Sequence, residues 1–222
     1  MEKRLIFYYS SKEIMQESYN KKGLFVANTF AGLGEAVVND ANLFMANMRD
    51  YDSKLLRNPT TKQMLTELIN LISNPENEVV FGVFSHGHQI NDISGDEDDG
   101  MDECIVMRDG LLVDDTLTAL INKYRKCRKL ILFADICHST IYDFKDFTNH
   151  ENLTIVTSCS DGETSKQLLK NGCFSLQFWN CFRDGTLNFR ELKRRLSLFN
   201  QTPQLCINGM CYNRCDSATL DL

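Results

Sequence analysis

The chain has 222 residues, of which 43% are hydrophobic and 24% charged, enough to bury one substantial core without disulfide staples. A formal net charge of −6 argues against nucleic acid as a partner, since phosphate is bound by clustered cations. The apolar run Leu5 to Tyr9 is too short for a secretory signal, and no stretch is long enough to span a bilayer, so no membrane is expected and the predicted location is the cytoplasm or nucleus.

In chain order, Gly23 to Asn28 (GLFVAN) is a short apolar run, read as a buried strand. Glu35 to Met48 carries Val37, Ala41, Phe44, Met45 and Met48 at helical spacing, and Thr60 to Ile72 repeats that pattern at Met64, Leu65, Leu68 and Ile72. Glu78 to Phe84 (EVVFGVF) is rich in β-branched and aromatic residues and predicts a strand. From Asp92 to Asp115 there are ten acids against Arg108 alone, a run that repels itself unless solvated or occupied by something positive. Cys104 to Met107 is read as a strand inside that run. Asp114 to Tyr124 is read as a helix with two acids at its positive end. Lys129 to Ala134 (KLILFA) and Leu153 to Thr157 (LTIVT) predict buried strands. Gly172 to Phe182 and Phe189 to Leu198 predict helices, and Gln204 to Ile207 a last strand. With only three prolines and no repeat, residues 1–222 are read as a single domain.

Strands that alternate with helices, and that are continuously apolar, indicate an α/β fold with a mainly parallel sheet covered on both faces. Ligand sites in such sheets form beyond the carboxyl ends of the strands. Two chemically equipped segments fall there: Ser85-His86-Gly87-His88 after EVVFGVF, and Asp135-Ile136-Cys137-His138 after KLILFA. A histidine near a thiol can accept its proton and later protonate a leaving amine. Gly87, without a side chain, leaves a backbone N–H open to a substrate carbonyl, and with the Cys137 N–H it could form an oxyanion hole. Taken singly, these residues have blander readings, Cys137 as a small buried hydrophobe and His-Gly-His as a surface turn. Nine cysteines, odd in number and scattered, fit a reducing compartment better than a disulfide framework.

The order of SHGHQINDISGDEDDGMDE, LVDDTL and LILFADICHS resembles the signature of metacaspases, peptidases of the caspase superfamily. VNDANLFM, TIVTSCSDGETS, GCFSLQFW and TPQL extend the similarity over residues 22 to 208. The resemblance implies a caspase-like three-layer fold and a cysteine endopeptidase with Cys137 as nucleophile, His86 as base and His88 as the rival base. It implies cleavage after Arg or Lys, with Asp40 of the N-D-A motif facing Asp135 in an acidic pocket suited to a guanidinium or ammonium. Taken alone, Asp40 reads as a first-turn helix acid and Asp135 as a turn cap. The family has Ser-Gly before its histidine; here Phe84-Ser85 stands there, which displaces the pocket serine to Ser85.

Activation by calcium is also implied, with Asp102, Glu103, Asp114 and Asp115 as ligands and Asp143 or Asp146 completing the shell. The acidic run is not an EF-hand, because Val106 falls at the twelfth position. Cys206, Cys211 and Cys215 lack the paired spacing of a zinc site. The expected partners are protein or peptide substrates with Arg or Lys at the cut, and the expected state is a monomer. Self-cleavage, if any, is expected after Lys145, the only Lys or Arg between Cys137 and the strand at Leu153. Two alternatives stay open: an Asp-specific caspase-like enzyme, against which the acids at 40 and 135 speak, and a non-catalytic caspase-fold module.

Overall fold

A computed structural model of the chain describes residues 19–30, 32–92, 95, 100–137, 142, 144–160, 162–168, 170–212, 218–220 and 222. Its elements run β1 (Asn20–Ala27), α1 (Ala36–Asn47), β2 (Asp52–Arg57), α2 (Thr61–Ile72), β3 (Asn77–Phe84), β4 (Gly87–Asn91), β5 (Met101–Met107), β6 (Gly110–Val113), α3 (Asp114–Tyr124), β7 (Lys129–Asp135), β8 (Leu153–Thr157), α4 (Cys173–Cys181), β9 (Phe182–Arg183), β10 (Thr186–Leu187), α5 (Phe189–Ser197), β11 (Gln204–Ile207), β12 (Met210–Cys211) and β13 (Ala218–Thr219).

The main sheet has the order β12-β11-β8-β7-β3-β1-β2. Strands β2, β1, β3, β7 and β8 are parallel, and β11 and β12 close the other edge antiparallel. Both sides of the sheet are buried, which is why its strands read as unbroken apolar runs. In β1, Leu24 and Val26 join Met64, Leu68 and Ile72 of α2 and Leu117 and Ile121 of α3 in one core. Phe25 and Ala27, one residue out of phase, join Phe44 of α1, Phe174 and Phe178 of α4 and Leu192 of α5 in the other. Helix α2 starts at a reciprocal cap: Thr60 Oγ1 accepts from the Gln63 amide at 3.2 Å, and Gln63 Oε1 accepts from the Thr60 amide at 2.9 Å.

The expected three-layer α/β architecture is present, with additions. Edge strand β2 (DSKLLR) alternates exposed and part-buried residues; its charges hide it from an apolar-run reading, as edge strands commonly do. The stretch after β3 folds into a separate antiparallel sheet, β4-β5-β6, in place of an open acidic loop interrupted by one strand. The cysteines depart from the disulfide-free expectation at one place: Cys206 and Cys211, partners across β11 and β12, are disulfide-bonded. That bond leaves no room for the two thiols in a zinc site. Among the described residues no helix is long and apolar enough to cross a membrane.

The second core is organised around Phe44, whose ring lies 4.8 Å from Phe133, 5.6 Å from Phe178 and 5.3 Å from Phe84. Deleting so large a buried ring leaves a cavity that its neighbours only partly fill. Phe44→Ala is therefore expected to lower the unfolding free energy by about 3–5 kcal/mol, as read from urea denaturation; a loss below about 1 kcal/mol would contradict this packing.

Candidate active site

The parallel ladder between β3 and β7 pairs Val83 with Ala134 and Phe84 with Asp135. The two central strands therefore end side by side, and the residues that leave them, Ser85-His86 and Ile136-Cys137, emerge next to each other. His86 is held between two sheets: its carbonyl accepts from the Val106 amide of β5 at 3.0 Å. The turn before Cys137 is pinned from the end of β8. Ser158 Oγ and Cys159 Sγ donate to the Ile136 carbonyl at 3.0 and 3.2 Å.

His86 and Cys137 line one slot, together with Asp40, Ser85, Asp135, Ser165, Lys166 and Gly172. The slot is small, about 80 Å³. A wider cleft of about 500 Å³ opens at the opposite ends of the same strands, beside Lys129 and Thr154; it holds none of the residues of this constellation. His88 faces solvent from β4, opposite Cys104, and does not line the slot, so the structure separates the two candidate bases.

Gly87 touches the backbone of Cys137. A Cβ built there would lie 1.7 Å from the Cys137 carbonyl oxygen, so no side chain fits without moving main chain. Burial pushes the Cys137 thiol above its ordinary range and the charge of Asp135 adds to this, while the Ser165 backbone, Lys166 and the Gly87 backbone act the other way. A thiol so raised is protonated at neutral pH and must pass its proton to a base before it can attack. Its sulfur stands 3.9 Å from the Ser165 carbonyl, to which it donates.

Asp40 and Asp135 are 2% and 7% exposed. Both carboxylates approach Gly172, where an added Cβ would meet Asp135 Oδ2 at 2.5 Å and Asp40 Oδ2 at 3.0 Å. Asp40 accepts from Asn171 Nδ2 and from the Gly172 amide, both at 2.8 Å. Asp135 accepts from Ser165 Oγ at 2.5 Å, from Ser175 Oγ at 2.7 Å and from the Ser175 amide at 3.3 Å. Burial, then the charge of Asp135, raise the Asp40 carboxyl from 3.8 to about 7. Burial also raises that of Asp135. Two buried carboxylates thus share one slot, and the charge of Asp135 helps to keep Asp40 protonated.

Ser85 lines the slot, but its hydroxyl is engaged elsewhere. It donates to the Val106 carbonyl at 2.9 Å and accepts from Asn28 Nδ2 at 3.0 Å. Ser85, expected to meet substrate, thus also ties the ends of β1 and β3 to β5. Asp102, Glu103 and Asp114 are buried, and the Cys104 thiol is pushed up to about 11 by burial and by these three charges. Asp115 is half-buried beside them in the first turn of α3. Among the described residues, no three His, Cys, Asp or Glu side chains stand close enough together to hold a metal ion. His138, Asp143 and Cys215 lie outside the described residues; Asp146 and the exposed Lys145 form a short 3-10 turn, Phe144–Asp146.

Sequence reasoning missed Ser165, Lys166, Gly172 and Ser175. The one available signal was Gly172, directly ahead of an apolar helical pattern.

The sheet order, the paired strand ends and the Cys-His slot define a caspase-like architecture. The chain belongs to the caspase-domain family, whose model matches residues 20–210. Among curated relatives, Metacaspase-1 of Yarrowia lipolytica is 37% identical over 97 residues, which is 40% of this chain and 21% of that protein. Metacaspase-6 of Arabidopsis thaliana is 34% identical over 94 residues, 40% of this chain and 25% of that protein. The matched stretch thus spans about a quarter or less of either relative. Among solved structures, a Geobacter sulfurreducens protein superposes with a TM-score of 0.62 at 21% identity, covering 85% of this chain and 94% of its own. Caspase-1 of Spodoptera frugiperda superposes with a TM-score of 0.56 at 9% identity, covering 89% and 92%. These two likenesses concern the fold.

The contact at Gly87 gives a sharp test. Gly87→Ala must push β4 away from the Cys137 main chain and carry His86 with it. Turnover of a peptide substrate is expected to fall by about 100-fold or more while the thermal melting curve keeps a single cooperative transition. Near-normal turnover in this variant would mean that the Gly87–Cys137 approach has no part in the chemistry.

Proposed function

We propose that the chain is a cysteine endopeptidase that cleaves after Arg or Lys through Cys137 and His86 and is stimulated by calcium. The observation that carries the specificity is the convergence of Asp40 and Asp135 on Gly172 within the slot that also holds Cys137. A buried carboxylate pair offers bidentate geometry to a guanidinium and charge to an ammonium, and it repels an aspartate side chain. Metacaspase relatives support the same class of chemistry.

In the proposed reaction His86 takes the Cys137 proton and the sulfur attacks the scissile carbonyl. The carbonyl electrons move onto oxygen, which the Gly87 and Cys137 N–H groups receive. Collapse breaks the C–N bond as His86 returns the proton to the leaving nitrogen, which leaves a thioester on Cys137. Water, deprotonated by His86, then hydrolyses the thioester and restores the thiol. Asp102, Glu103 and Asp114 are buried and their charges act together on the Cys104 thiol; they do not by themselves form a metal cage, and calcium bound beside them would neutralise like charges.

Reporter release from Arg-, Lys- and Asp-ended peptides, with calcium or with chelator, tests the proposal. Arg and Lys substrates should be cleaved and Asp substrates not. Cys137→Ala and His86→Ala should each abolish turnover, and His88→Ala should be mild. Asp114→Ala with Asp115→Ala should remove the calcium response, and calorimetry of the Cys137→Ala protein should show calcium binding that this pair of changes abolishes. An Asp-ended peptide as the best substrate would overturn the pocket; activity indifferent to chelator, with no binding heat, would overturn the cation.

A pH dependence follows from Asp40. Its carboxyl, raised to about 7, is neutral below that pH, so the charge that holds a basic substrate is present above about 7 and is lost as pH falls. For an arginine peptide kcat/KM should drop about tenfold per pH unit below 7, carried by KM. Asp40→Asn should be weaker throughout and lack that part of the acid limb; an unchanged limb in this variant would overturn Asp40 as its source.

A further inference from the structure

The side chain of Gln201 is 1% exposed, far from the slot in sequence, and assigned no role so far. It lies between the end of α5 and the start of β11 and reaches the segment that walls the slot. Gln201 Oε1 accepts from the Lys166 amide at 3.2 Å. Its Nε2 donates to Ser165 Oγ at 3.2 Å and to the Ser158 carbonyl at 3.4 Å. The neighbouring residue repeats the tie in the other sense: Glu163 accepts from the Thr202 amide at 2.7 Å and from Thr202 Oγ1 at 2.8 Å, and its carboxylate also receives the Ser160 amide at 3.2 Å. Ser158, Glu163, Ser165 and Lys166 are therefore all held by residues 201 and 202.

The directions of these bonds are fixed. The carboxylate of Asp135 accepts the Ser165 hydroxyl proton, so the Ser165 oxygen must use a lone pair toward Gln201, and Gln201 must present N–H. The polarised chain runs from Gln201 through Ser165 to Asp135, and the carbonyl of the same Ser165 receives the Cys137 thiol. One buried amide thus orients the residue that touches both the acid of the slot and the nucleophile.

We propose that Gln201 is a positioning residue for basic-substrate recognition, acting through Ser165 on Asp135. This rests on the reading of Asp40 and Asp135 as the pocket for Arg or Lys. Losing the donor frees the Ser165 hydroxyl to turn from Asp135, and the carboxylate loses a bond that stabilises its charged form.

The test is steady-state kinetics on an arginine peptide for wild type, Gln201→Leu, Gln201→Glu, Ser165→Ala and the double variant Gln201→Leu with Ser165→Ala. In each single variant KM should rise by about tenfold to a hundredfold, kcat should change less, and the acid limb of kcat/KM should move to higher pH. Gln201→Glu is close in size and keeps the acceptor for Lys166, so a space-filling role would leave it near wild type. The double variant should be no worse than the worse single one, because both break one chain. Alkylation of Cys137 by iodoacetamide, which needs no pocket, should stay within about twofold of wild type. Should Gln201→Leu fail to fold by thermal melting, Gln201→Glu and Ser165→Ala carry the test. A wild-type protein without preference for Arg or Lys overturns the pocket reading itself. Preference in the wild type with unchanged KM and acid limb in these variants, or losses that simply add in the double variant, overturn the role of Gln201.

Discussion

The parallel register of β3 on β7 is the constraint on which the rest of the site depends. Backbone ladders pair Phe84 with Asp135, and both residues are the last of their strands. Parallel neighbours that end together deliver their next residues to the same edge of the sheet, so a histidine and a cysteine 51 positions apart in sequence reach one slot. A shift of one residue would turn Asp135 to the other face and take Cys137 out of line. Such a slip is resisted because Ile131 and Phe133 of β7 serve one core while Leu130 and Leu132 serve the other. The chemistry is thus secured by packing that never touches it.

The acid pair stands against that economy. Two carboxylates, each nearly sealed from water, cost free energy in the folded state, and the Asp40 carboxyl raised from 3.8 to about 7 expresses this. The sign is definite: a group whose folded value is raised holds its proton more tightly when folded, so its contribution to stability is complete below about 4 and is lost as pH rises through about 7. Charge at the slot grows over the same interval, so folding stability and a charged slot oppose each other at Asp40. Phe44, one helical turn on along α1 and at the centre of an aromatic cluster, supplies the apolar anchoring that keeps this helix, with its buried acid, on the sheet.

Most of the fold was legible because a doubly covered parallel sheet forces continuous apolar strands, and EVVFGVF, KLILFA and LTIVT are such strands. Strand β2 was not, because an edge strand needs only alternate burial and DSKLLR meets that with two leucines and three charges. Strands β4 and β6 were hidden by the acidic run, where pairing across a hairpin matters more than composition. At the site, His86, Gly87, Cys137, Asp40 and Asp135 could be named in advance because the strand ends and the resemblance point to them. Ser85 could be named but its use could not, since the bond to Val106 depends on how the small sheet folds back. Gln201 and Ser165 carry no spacing signal at all: their meeting is made by α5 and the turn after it, which return the chain to the end of β8.

The small sheet has a further consequence for the acids on it. Strand β5 carries Asp102 and Glu103 at its start and Val106 near its end. Val106 binds the His86 carbonyl through its amide, and its own carbonyl is held by Ser85 Oγ and by Asn28 Nδ2 at 2.9 Å each. The same strand therefore carries buried acids at one end and, at the other, the residue that holds the backbone of His86. Glu103 is steadied by Gln89 Nε2 at 3.0 Å across the β4–β5 pair, and β4 begins at Gly87, the residue in contact with the Cys137 main chain. The buried acids of β5 and the Gly87–Cys137 contact therefore lie on the two strands of one hairpin, whose pairing fixes how Gly87 meets the Cys137 main chain.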